Sequence, residues 1–314
     1  IQPKYQSSFS ALVPIMTGCD NFCTFCAVPY TKGREISRPS EEILCEVENL
    51  VKKGFKEIWL LGQNVNSYGV LHETDTKLKH ETNTKINFPK LLRTVNDIPG
   101  NFWIRFTSSH PRDFSDELIE AMAECEKVTE YLNLPVQSGD NEILKKMNRP
   151  YTIEHYKNLV KKIRTAFAKI RGKFVPISVS TDVIVGFPGE TEKQFQNTVK
   201  LFKEVKFAMA YISQYSPRQG TAAAKMKDDV PQKEKMRRWK TLAEILKKTA
   251  QGQNKKYIGK TVEVLAEADL RGYLRGKTRS YKTIKFKGPK NLIGQFVKVK
   301  VANALPWGLK GELI

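Results

Sequence analysis

The sequence predicts an α/β fold in which a partial barrel of six β/α units is followed by a small all-β barrel. Short apolar runs alternate with amphipathic stretches over the first two thirds of the chain, which is typical of parallel β/α units. From residue 260 the pattern changes to alternating β-branched residues punctuated by glycines. We therefore expect a core domain at residues 1–230, a basic helical linker at 231–256 and a small barrel at 257–314.

Six apolar runs predict the strands of the core. They lie at residues 11–16, 57–61, 102–107, 131–134, 179–185 and 208–213. Six units rather than eight predict a barrel that does not close, with its chemistry where the strands end and the loops begin.

Amphipathic stretches between these runs predict helices. They lie at residues 39–53, 115–124, 152–168 and 192–205. Ser40 is the expected N-cap of the first helix and Gly54 its C-cap. The polar stretch 71–87 has no hydrophobic period and predicts a surface loop or insertion.

The last 60 residues predict the small barrel through alternation. Val297, Val299 and Val301 share one parity of a strand and form the expected inward set. Phe286 is expected in the core of the same barrel.

Charge separates the two parts of the chain. The net charge is +20, from 53 basic and 33 acidic residues, and residues 253–314 contain 14 basic but only 4 acidic side chains. An excess of this size indicates a polyanionic partner, with a merely solvated positive surface as the alternative, and the partner we expect is nucleic acid.

Membrane and secreted classes are disfavoured. No apolar run reaches the ~20 residues that a membrane span needs, and the first residues do not resemble a signal peptide. The five cysteines lack the framework of a disulfide-rich secreted protein, so we expect the reducing cytoplasm and no membrane.

Three of the five cysteines stand close together in the loop after the first strand. Cys19, Cys23 and Cys26 have the spacing C-x3-C-x2-C, and none of the four histidines lies near them in the sequence. Structural zinc takes four protein ligands, so zinc here requires a distant fourth one, and a disulfide leaves one thiol over. Three thiolates can hold three irons of a 4Fe-4S cluster and leave the fourth iron open to a small molecule, which is how S-adenosylmethionine (SAM) is cleaved to a radical. Cys45 and Cys125 lie in helical patterns and are expected in the core.

The loop and five later segments carry a family resemblance. Residues 27–39 continue the cysteine loop as AVPYTKGREISRP, and further segments read LLGQNVN (60–66), TSSHP (107–111), LPVQSG (134–139), TDVIVGFPGET (181–191) and YSPRQGT (215–221). In this order they resemble the methylthiotransferases, a radical SAM family, over nearly the whole chain. The end of the chain resembles a TRAM domain, a small RNA-binding β-barrel.

The resemblance implies a cofactor site made of one 4Fe-4S cluster and SAM. Cys19, Cys23 and Cys26 would ligate the cluster, and Phe25 would pack beside it and meet the adenine of SAM. The other SAM-binding residues implied lie at strand ends or on the fifth strand: Gln63, Asn64, Ser108, Gln137, Asp182 and Ile184. His110 would reach SAM or substrate in the same way. For the strand-end residues ordinary turn hydrogen bonding is the alternative, and for Asp182 a structural hydrogen bond.

Basic residues are expected to contact substrate RNA. Arg34 and Arg38 follow the cysteine loop and would meet a phosphate or the SAM carboxylate, and Arg218 lies in another family segment. The remaining RNA-binding candidates lie in the small barrel, interleaved with aromatic residues that can stack on unpaired bases. They are Arg271, Arg275, Lys277, Arg279, Lys282 and Lys285.

Within the family, the segments after the cysteines and at 134–139 are most similar to the branch that acts on tRNA. The resemblance implies insertion of a methylthio group at C2 of an N6-isopentenylated adenosine in the anticodon stem-loop. It also implies an electron donor such as flavodoxin or ferredoxin and an iron-sulfur carrier protein, and we expect a monomer. A methylthiotransferase acting on threonylcarbamoyl-adenosine or on a ribosomal protein is one alternative, and a non-catalytic zinc-containing RNA-binding protein is another.

Family members carry a preceding domain with three more cysteines and a second 4Fe-4S cluster. The chain begins with Ile1 and shows no such cysteines, so we expect a piece of a longer protein. By itself it would cleave SAM without methylthiolating tRNA.

Overall fold

A computed structural model describes residues 5–69, 86–172 and 177–314. Eight strands lie in the described residues before position 257. They are β1 (Ser10–Pro14), β2 (Met16–Thr17), β3 (Ile36–Ser37), β4 (Glu57–Leu61), β5 (Trp103–Phe106), β6 (Tyr131–Asn133), β7 (Ser178–Val185) and β8 (Met209–Gln214). All six predicted strands are present, and their ends differ from the predicted ones by at most two residues. β1 ends at Pro14 rather than at residue 16. Met16 instead belongs to β2, which forms a short antiparallel pair with β3.

The six long strands form one curved parallel arrangement. Two three-stranded sheets have the orders β1-β4-β5 and β6-β7-β8. They are joined where the amide of Ile104 donates to Lys127 O at 2.8 Å and the amide of Thr129 donates to Ile104 O at 3.1 Å. Within the described residues β1 and β8 each pair on one side only, so the barrel is partial, as predicted.

Helices follow the strands in the expected alternation. They are α1 (Val28–Lys32), α2 (Ser40–Lys52), α3 (Phe88–Asp97), α4 (Asp116–Glu124), α5 (Asn141–Lys146), α6 (Ile153–Ile170), α7 (Glu192–Val205) and α8 (Gln232–Lys255). The short helices α1 and α5 and the helix α3 were not predicted from the sequence. The predicted loop at 71–87 lies outside the described residues except for its last two positions, where Asn87 caps α3.

The caps differ from the prediction at α2. Ser40 is the first helical residue rather than the N-cap, because Pro39 occupies that position and no side chain caps the helix. Lys53 is the C-cap, and Gly54 follows it with a φ of 91°. Helix α7 begins with a reciprocal capping box between Thr191 and Gln194, which satisfies two amides that its first turn leaves free.

The core lies between the strands and the helices that cover their outer faces. Ile58 and Leu60 of β4 are fully buried against a layer that includes Val47 of α2. Cys125 is buried, as predicted. The prediction for Cys45 was wrong, because the buried stripe of α2 contains positions 43, 47 and 50 and Cys45 faces solvent.

The small barrel has five strands and closes completely. They are β9 (Thr261–Asp269), β10 (Tyr273–Thr278), β11 (Thr283–Lys287), β12 (Phe296–Leu305) and β13 (Gly308–Leu313), in the order β10-β11-β13-β12-β9. Phe286, Val299 and Val301 are buried in its core, as predicted, whereas Val297 is half-buried.

Helix α8 and one buried arginine join the two barrels. Asn254 at the end of α8 donates to the carbonyls of Leu305 and Pro306. Arg105 of β5 pairs with Glu57 at 2.6 Å and donates to the carbonyl oxygens of Thr278 and Arg279 in the small barrel. A fully buried guanidinium with this many partners fixes the small barrel against the core, because each broken bond would leave a buried charge or carbonyl unsatisfied.

Among the described residues no helix combines the length and apolar character that crossing a membrane requires.

Candidate active site

The cysteine loop begins at a glycine that no other residue can replace without strain. Gly18 has a φ of 75°, and a Cβ atom there would lie 1.9 Å from the carbonyl oxygen of Arg34. The amide of Cys19 donates to Gly33 O, so the two strands of the short β2–β3 pair hold the start of the loop.

The other end of the loop is held by α5 and the residues after it. Thr24 donates through its amide to Met147 O and through its hydroxyl to Lys146 O. The Asn148 side chain donates to the carbonyls of Asn21 and Phe22. These bonds cross more than 120 positions of sequence, so the loop conformation depends on the assembled barrel.

All three thiols of the loop are free, and two are buried. Cys19 and Cys23 are each 9% exposed, and Cys26 is intermediate. Burial raises the pKa of Cys19 and of Cys26. The side-chain Nδ2 of Asn21 donates to Cys19 Sγ at 3.4 Å, and Arg149 Nη1 lies 3.6 Å from Cys23 Sγ. A cation and an N–H donor aimed at sulfur favour the thiolate form that metal binding requires.

The thiols line a cavity of about 610 Å³ at the carboxyl ends of the strands. Strand ends β4 to β7 supply most of its wall, as expected for a β/α barrel. Five of the predicted SAM-binding residues line it: Phe25, Gln63, Ser108, Gln137 and Asp182. His110 lines it as well.

Several polar atoms around this cavity are buried without a hydrogen-bond partner. They are Asn21 Oδ1, Gln63 Oε1, Ser109 Oγ and His110 Nε2. Native structures rarely leave such atoms unsatisfied, so they indicate the contacts of a polar ligand. The backbone amide of Arg112 donates to His110 Nδ1, which leaves the proton on Nε2.

His110 is a neutral donor in this site. Its ring is 4% exposed and packs edge-on against Tyr151. Burial, followed by the charges of Arg149 and Arg112, lowers the pKa of His110 to about 2. The imidazole therefore offers one N–H group and no charge at neutral pH.

Two strand-end residues have backbones in the left-handed region. Ser108 has a φ of 68° and Gln137 a φ of 67°. Residues other than glycine adopt this conformation at a cost, and such strain concentrates where a site needs a particular side-chain direction. Gln137 is held there by its amide, which donates to Asp182 O, and by its carbonyl, which accepts from Ile184.

Asp182 is positioned by the neighbouring strand. Asn133 Nδ2 donates to Asp182 Oδ2 at 3.1 Å, and burial raises the pKa of this carboxyl. The structural hydrogen bond that the sequence left as an alternative is therefore present, and the carboxylate still lines the cavity.

Two of the predicted SAM contacts lie away from the cavity. Asn64 is 1% exposed and donates to Asp113 Oδ2, so it ties two loops together instead of lining the site. Ile184 packs behind Phe25 in a small apolar cluster with Phe187 and Tyr215. Both residues support the site from outside.

The basic residues after the cysteine loop also lie outside the cavity lining. Arg34 pairs with Asp20 at 2.8 Å on the surface. Arg38 donates to Pro14 O and pairs with Glu46, and Arg218 is exposed. Arg34 and Arg218 are exposed, whereas Arg38 holds β1 against α2.

Some of the Arg and Lys side chains predicted to bind RNA are exposed on the small barrel, and others are buried. Arg271 and Arg275 are exposed, and Lys277 and Lys285 are half-buried. Arg279 instead pairs with Glu130 of the core at 3.0 Å, and Lys282 is 8% exposed. The prediction of free RNA-binding cations needs correction at these two positions, because the interface between the barrels occupies both.

Other residues of the site carried no sequence signal that we recognised. Arg149 and Asn133 line the cavity through long-range packing. Tyr281 lines it too, from the small barrel. Glu190 closes the turn after β7 by accepting from the Gly186 amide and from Arg238 of α8.

Fold and thiol arrangement together define a class of protein. Residues 13–202 match the radical SAM superfamily, and residues 255–314 match the TRAM domain. The fold resembles coproporphyrinogen III oxidase (HemN) from Escherichia coli, with a TM-score of 0.54 at 17% identity over 78% of this chain and 54% of that one. It also resembles SuiB from Streptococcus suis, with a TM-score of 0.51 at 14% identity over 77% of this chain and 47% of that one. The chain belongs to the radical SAM superfamily.

Its similar curated relatives are more specific. The chain is 47% identical to the tRNA-2-methylthio-N(6)-dimethylallyladenosine synthase of Clostridium novyi (strain NT), over 98% of this chain and 65% of the relative. It is 46% identical to the enzyme of the same name from Thermoanaerobacter sp. (strain X514), over 99% of this chain and 63% of the relative. The chain thus spans slightly less than two thirds of the length of these relatives.

Membership of the superfamily makes a 4Fe-4S cluster and SAM the cofactors, and the residues present fit them. Within residues 5–69, 86–172 and 177–314, no three His, Cys, Asp or Glu side chains converge closely enough to hold one metal ion. A cluster does not need such convergence, since each thiolate binds a different iron. The unsatisfied Gln63 Oε1 and His110 Nε2 suit the ammonium and carboxylate ends of an amino acid such as that in SAM.

Proposed function

We propose that the protein inserts a methylthio group at C2 of an N6-isopentenylated adenosine in the anticodon stem-loop of tRNA. The observation that carries this is one shared cavity: its rim holds the three free thiols, and Tyr281 from the RNA-binding type of barrel forms part of its wall. The names of the curated relatives support the same reaction.

The proposed roles follow from the positions of the side chains. Cys19, Cys23 and Cys26 would hold the cluster as thiolates. Gln63 would accept from the SAM ammonium group, and His110 would donate to the SAM carboxylate. When bound, the cluster and SAM supply a radical able to attack an unactivated C–H bond.

Other residues would orient SAM and the base. Phe25 offers a ring face that packs on the apolar side chains around Phe187. Ser108 and Gln137 turn their side chains toward the cavity from strained backbones, and Asp182 would accept hydrogen bonds from ligand hydroxyl groups. Exposed cations of the small barrel, such as Arg271 and Arg275, would neutralise RNA phosphates.

The cellular setting belongs to the same proposal. We propose that the enzyme acts in the cytoplasm, where tRNA is found, as a monomer that receives electrons from a flavodoxin or ferredoxin and its clusters from an iron-sulfur carrier. Sulfur delivery would use a second 4Fe-4S cluster in the part of the protein that the longer relatives carry.

Nucleoside analysis tests the reaction directly. The tRNA of cells lacking the full-length gene should contain N6-isopentenyladenosine and lack its methylthio derivative, and restoring the gene should restore the derivative. A variant gene with Cys23→Ala should fail to restore it, while Cys45→Ala, which removes an exposed thiol of α2, should succeed. Unchanged methylthio-nucleoside in the deletion strain would contradict the proposal.

The cofactor assignment has its own measurement. Anaerobic reconstitution of this polypeptide with iron and sulfide should give a brown protein with roughly four irons per chain. A colourless zinc-containing protein would favour the non-catalytic RNA-binding alternative.

A further inference from the structure

The inner face of the core barrel carries an aromatic wall, formed by Trp59, Tyr131, Tyr211 and Tyr281. All four side chains line the 610 Å³ cavity that contains the thiols. The ring centroids of Tyr131 and Tyr281 are 4.6 Å apart, and those of Trp59 and Tyr281 are 5.3 Å apart. Tyr211 lies beside Asp182 on the neighbouring strand.

One member of the aromatic wall comes from the other domain. Tyr281 lies in the turn between β10 and β11 of the small barrel, with a φ of 60°. Its amide donates to Thr278 O at 2.9 Å, and its ring rests on Trp59 and Tyr131 of the core. A non-glycine residue in this conformation is strained, and this backbone conformation directs the Tyr281 ring into the core cavity.

One member of the wall is open to a ligand, whereas Tyr131 is buried and Trp59 and Tyr281 are half-buried. Tyr211 is 52% exposed although it lies on the inner face of edge strand β8. A large aromatic side chain left exposed in a concave site indicates that an apolar or aromatic ligand covers it.

The two cations described next to the Tyr281 ring have hydrogen-bond partners of their own. Arg105 lies 5.0 Å from the Tyr281 ring, but Glu57, Thr129 and two carbonyls use its donors. Lys277 Nζ lies 4.4 Å from the centroid of the Tyr281 ring and donates to Thr283 Oγ1, and it lines an adjoining cavity of about 160 Å³ that Tyr131, Tyr211 and Tyr281 also line. Because the Asp182 carboxylate stands next to Tyr211, an anionic substituent would meet repulsion there.

We propose that the aromatic wall is the subsite for the apolar N6 substituent of the target adenosine, with Tyr281 as a specificity-determining residue contributed by the RNA-binding barrel. This proposal rests on the proposed function and adds to it the residues that select the substrate. Under this proposal a carboxylate-bearing substituent, such as threonylcarbamoyl, would bind less well than an alkenyl group, because the Asp182 carboxylate lies beside Tyr211.

Binding measurements test the wall. The full-length natural protein, loaded with its cluster, is titrated with anticodon stem-loops that differ only in the target base: adenosine, N6-isopentenyladenosine or N6-threonylcarbamoyladenosine. The wild type should bind the isopentenyl RNA at least about tenfold more tightly than the other two, from stacking and apolar burial. Tyr281→Ala and Tyr211→Ala should reduce that ratio toward one, while Tyr281→Phe should keep it.

A matched control separates the wall from general RNA affinity. Tyr273→Ala removes an exposed aromatic ring of the same small barrel that lies outside the cavity. Tyr273→Ala should leave the preference for the isopentenyl RNA over each of the other two RNAs unchanged, even if it lowers the affinity for all three. Since the Tyr211 side chain is half exposed, Tyr211→Ala should fold normally, which thermal melting checks in case Tyr281→Ala does not.

The outcomes distinguish this proposal from the proposed function. A wild type without preference, or a preference that survives both alanine substitutions, overturns the subsite. Mass analysis of the RNA products is read separately. Product formation with an unaffected preference defeats only the subsite, whereas a wall-dependent preference without any methylthio product defeats only the proposed reaction.

Discussion

Arg149 places a guanidinium 3.6 Å from Cys23 Sγ and is itself held by Pro135 O and the Tyr151 hydroxyl. Cations and N–H donors near cluster sulfurs raise reduction potentials, since reduction adds negative charge. We expect Arg149→Ala to lower the cluster midpoint potential by tens of millivolts and Arg149→Lys to lower it less. Redox titration followed by electron paramagnetic resonance measures this. Equal potentials in all three proteins would show that Arg149 only supports the fold.

Lys282 carries a buried charge that burial penalises. It is 8% exposed, and desolvation lowers the pKa of Lys282 to about 8 from 10.5 for an exposed lysine. The penalty is complete below pH 8 and shrinks as the pH rises toward 10.5, because over that range the unfolded chain binds more protons than the folded one.

Replacing this amine should therefore stabilise the protein. We expect Lys282→Met to raise the free energy of unfolding at pH 7 by ~1–3 kcal/mol, with the gain declining above pH 8. Lys300→Met, at an exposed position of β12, should change it by less than ~0.5 kcal/mol at any pH. Denaturant titrations between pH 7 and 10 measure both. A loss of stability in Lys282→Met at pH 7 would mean that the amine has a stabilising partner.

At the scale of elements, the cysteine loop depends on one crowded glycine. Gly18 and Gly33 both have a φ of 75°, but a Cβ atom meets Arg34 O at 1.9 Å in the first case and nothing within 4 Å in the second. The pair therefore separates steric exclusion from backbone preference.

We expect Gly18→Ala to displace the loop and abolish cluster assembly. Gly33 has a φ of 75° and a ψ of −162°, a backbone region almost confined to glycine, so Gly33→Ala should cost about 1–3 kcal/mol but keep the cluster, because no atom blocks the added methyl group. Iron content after reconstitution measures assembly, and circular dichroism confirms that the barrels remain folded. Equal iron content in the two variants would show that the loop tolerates the shift.

The sequence predicted all six parallel strands of the core, because each appears in the sequence as an apolar run that is buried in a parallel sheet. It did not predict α1 and α5, which have five and six residues and too short a period to recognise. Cys45 was assigned to the core because its neighbours are apolar, although the helical period turns it outward. Periodicity thus located elements well and individual faces less well.

The site divided along the same line. Residues close to the thiols in sequence or at strand ends could be predicted, since barrel topology gathers strand ends at one edge. Arg149 and Tyr281 could not be placed there, because their positions depend on contacts between segments more than 100 residues apart. The role of Arg279 as an interdomain anchor was equally invisible, because an arginine in a basic tail has the same sequence signature whether it binds RNA or a buried glutamate.

On the scale of the whole molecule, Arg105 joins the barrels. Arg105→Ala would leave the buried Glu57 carboxylate without its positive partner and two carbonyls of the small barrel without their donor, so we expect a loss of ~3–5 kcal/mol in the free energy of unfolding. Arg275→Ala, at an exposed position of β10, should have little effect. Denaturant unfolding measures the loss, and limited proteolysis tests whether the small barrel then separates from the core. A single unchanged transition would contradict the anchoring role.

The firm attachment of the small barrel bears on how a nucleotide is chosen. With Arg105, Arg279 and Asn254 fixing it to the core, the exposed cations and the cysteine loop stand at a set separation. An RNA gripped at one end would present whichever nucleotide lies that distance along its backbone. The fixed distance between the small barrel and the cavity would then select the position of the nucleotide along the RNA. The cavity itself would select only which base is accepted at that position.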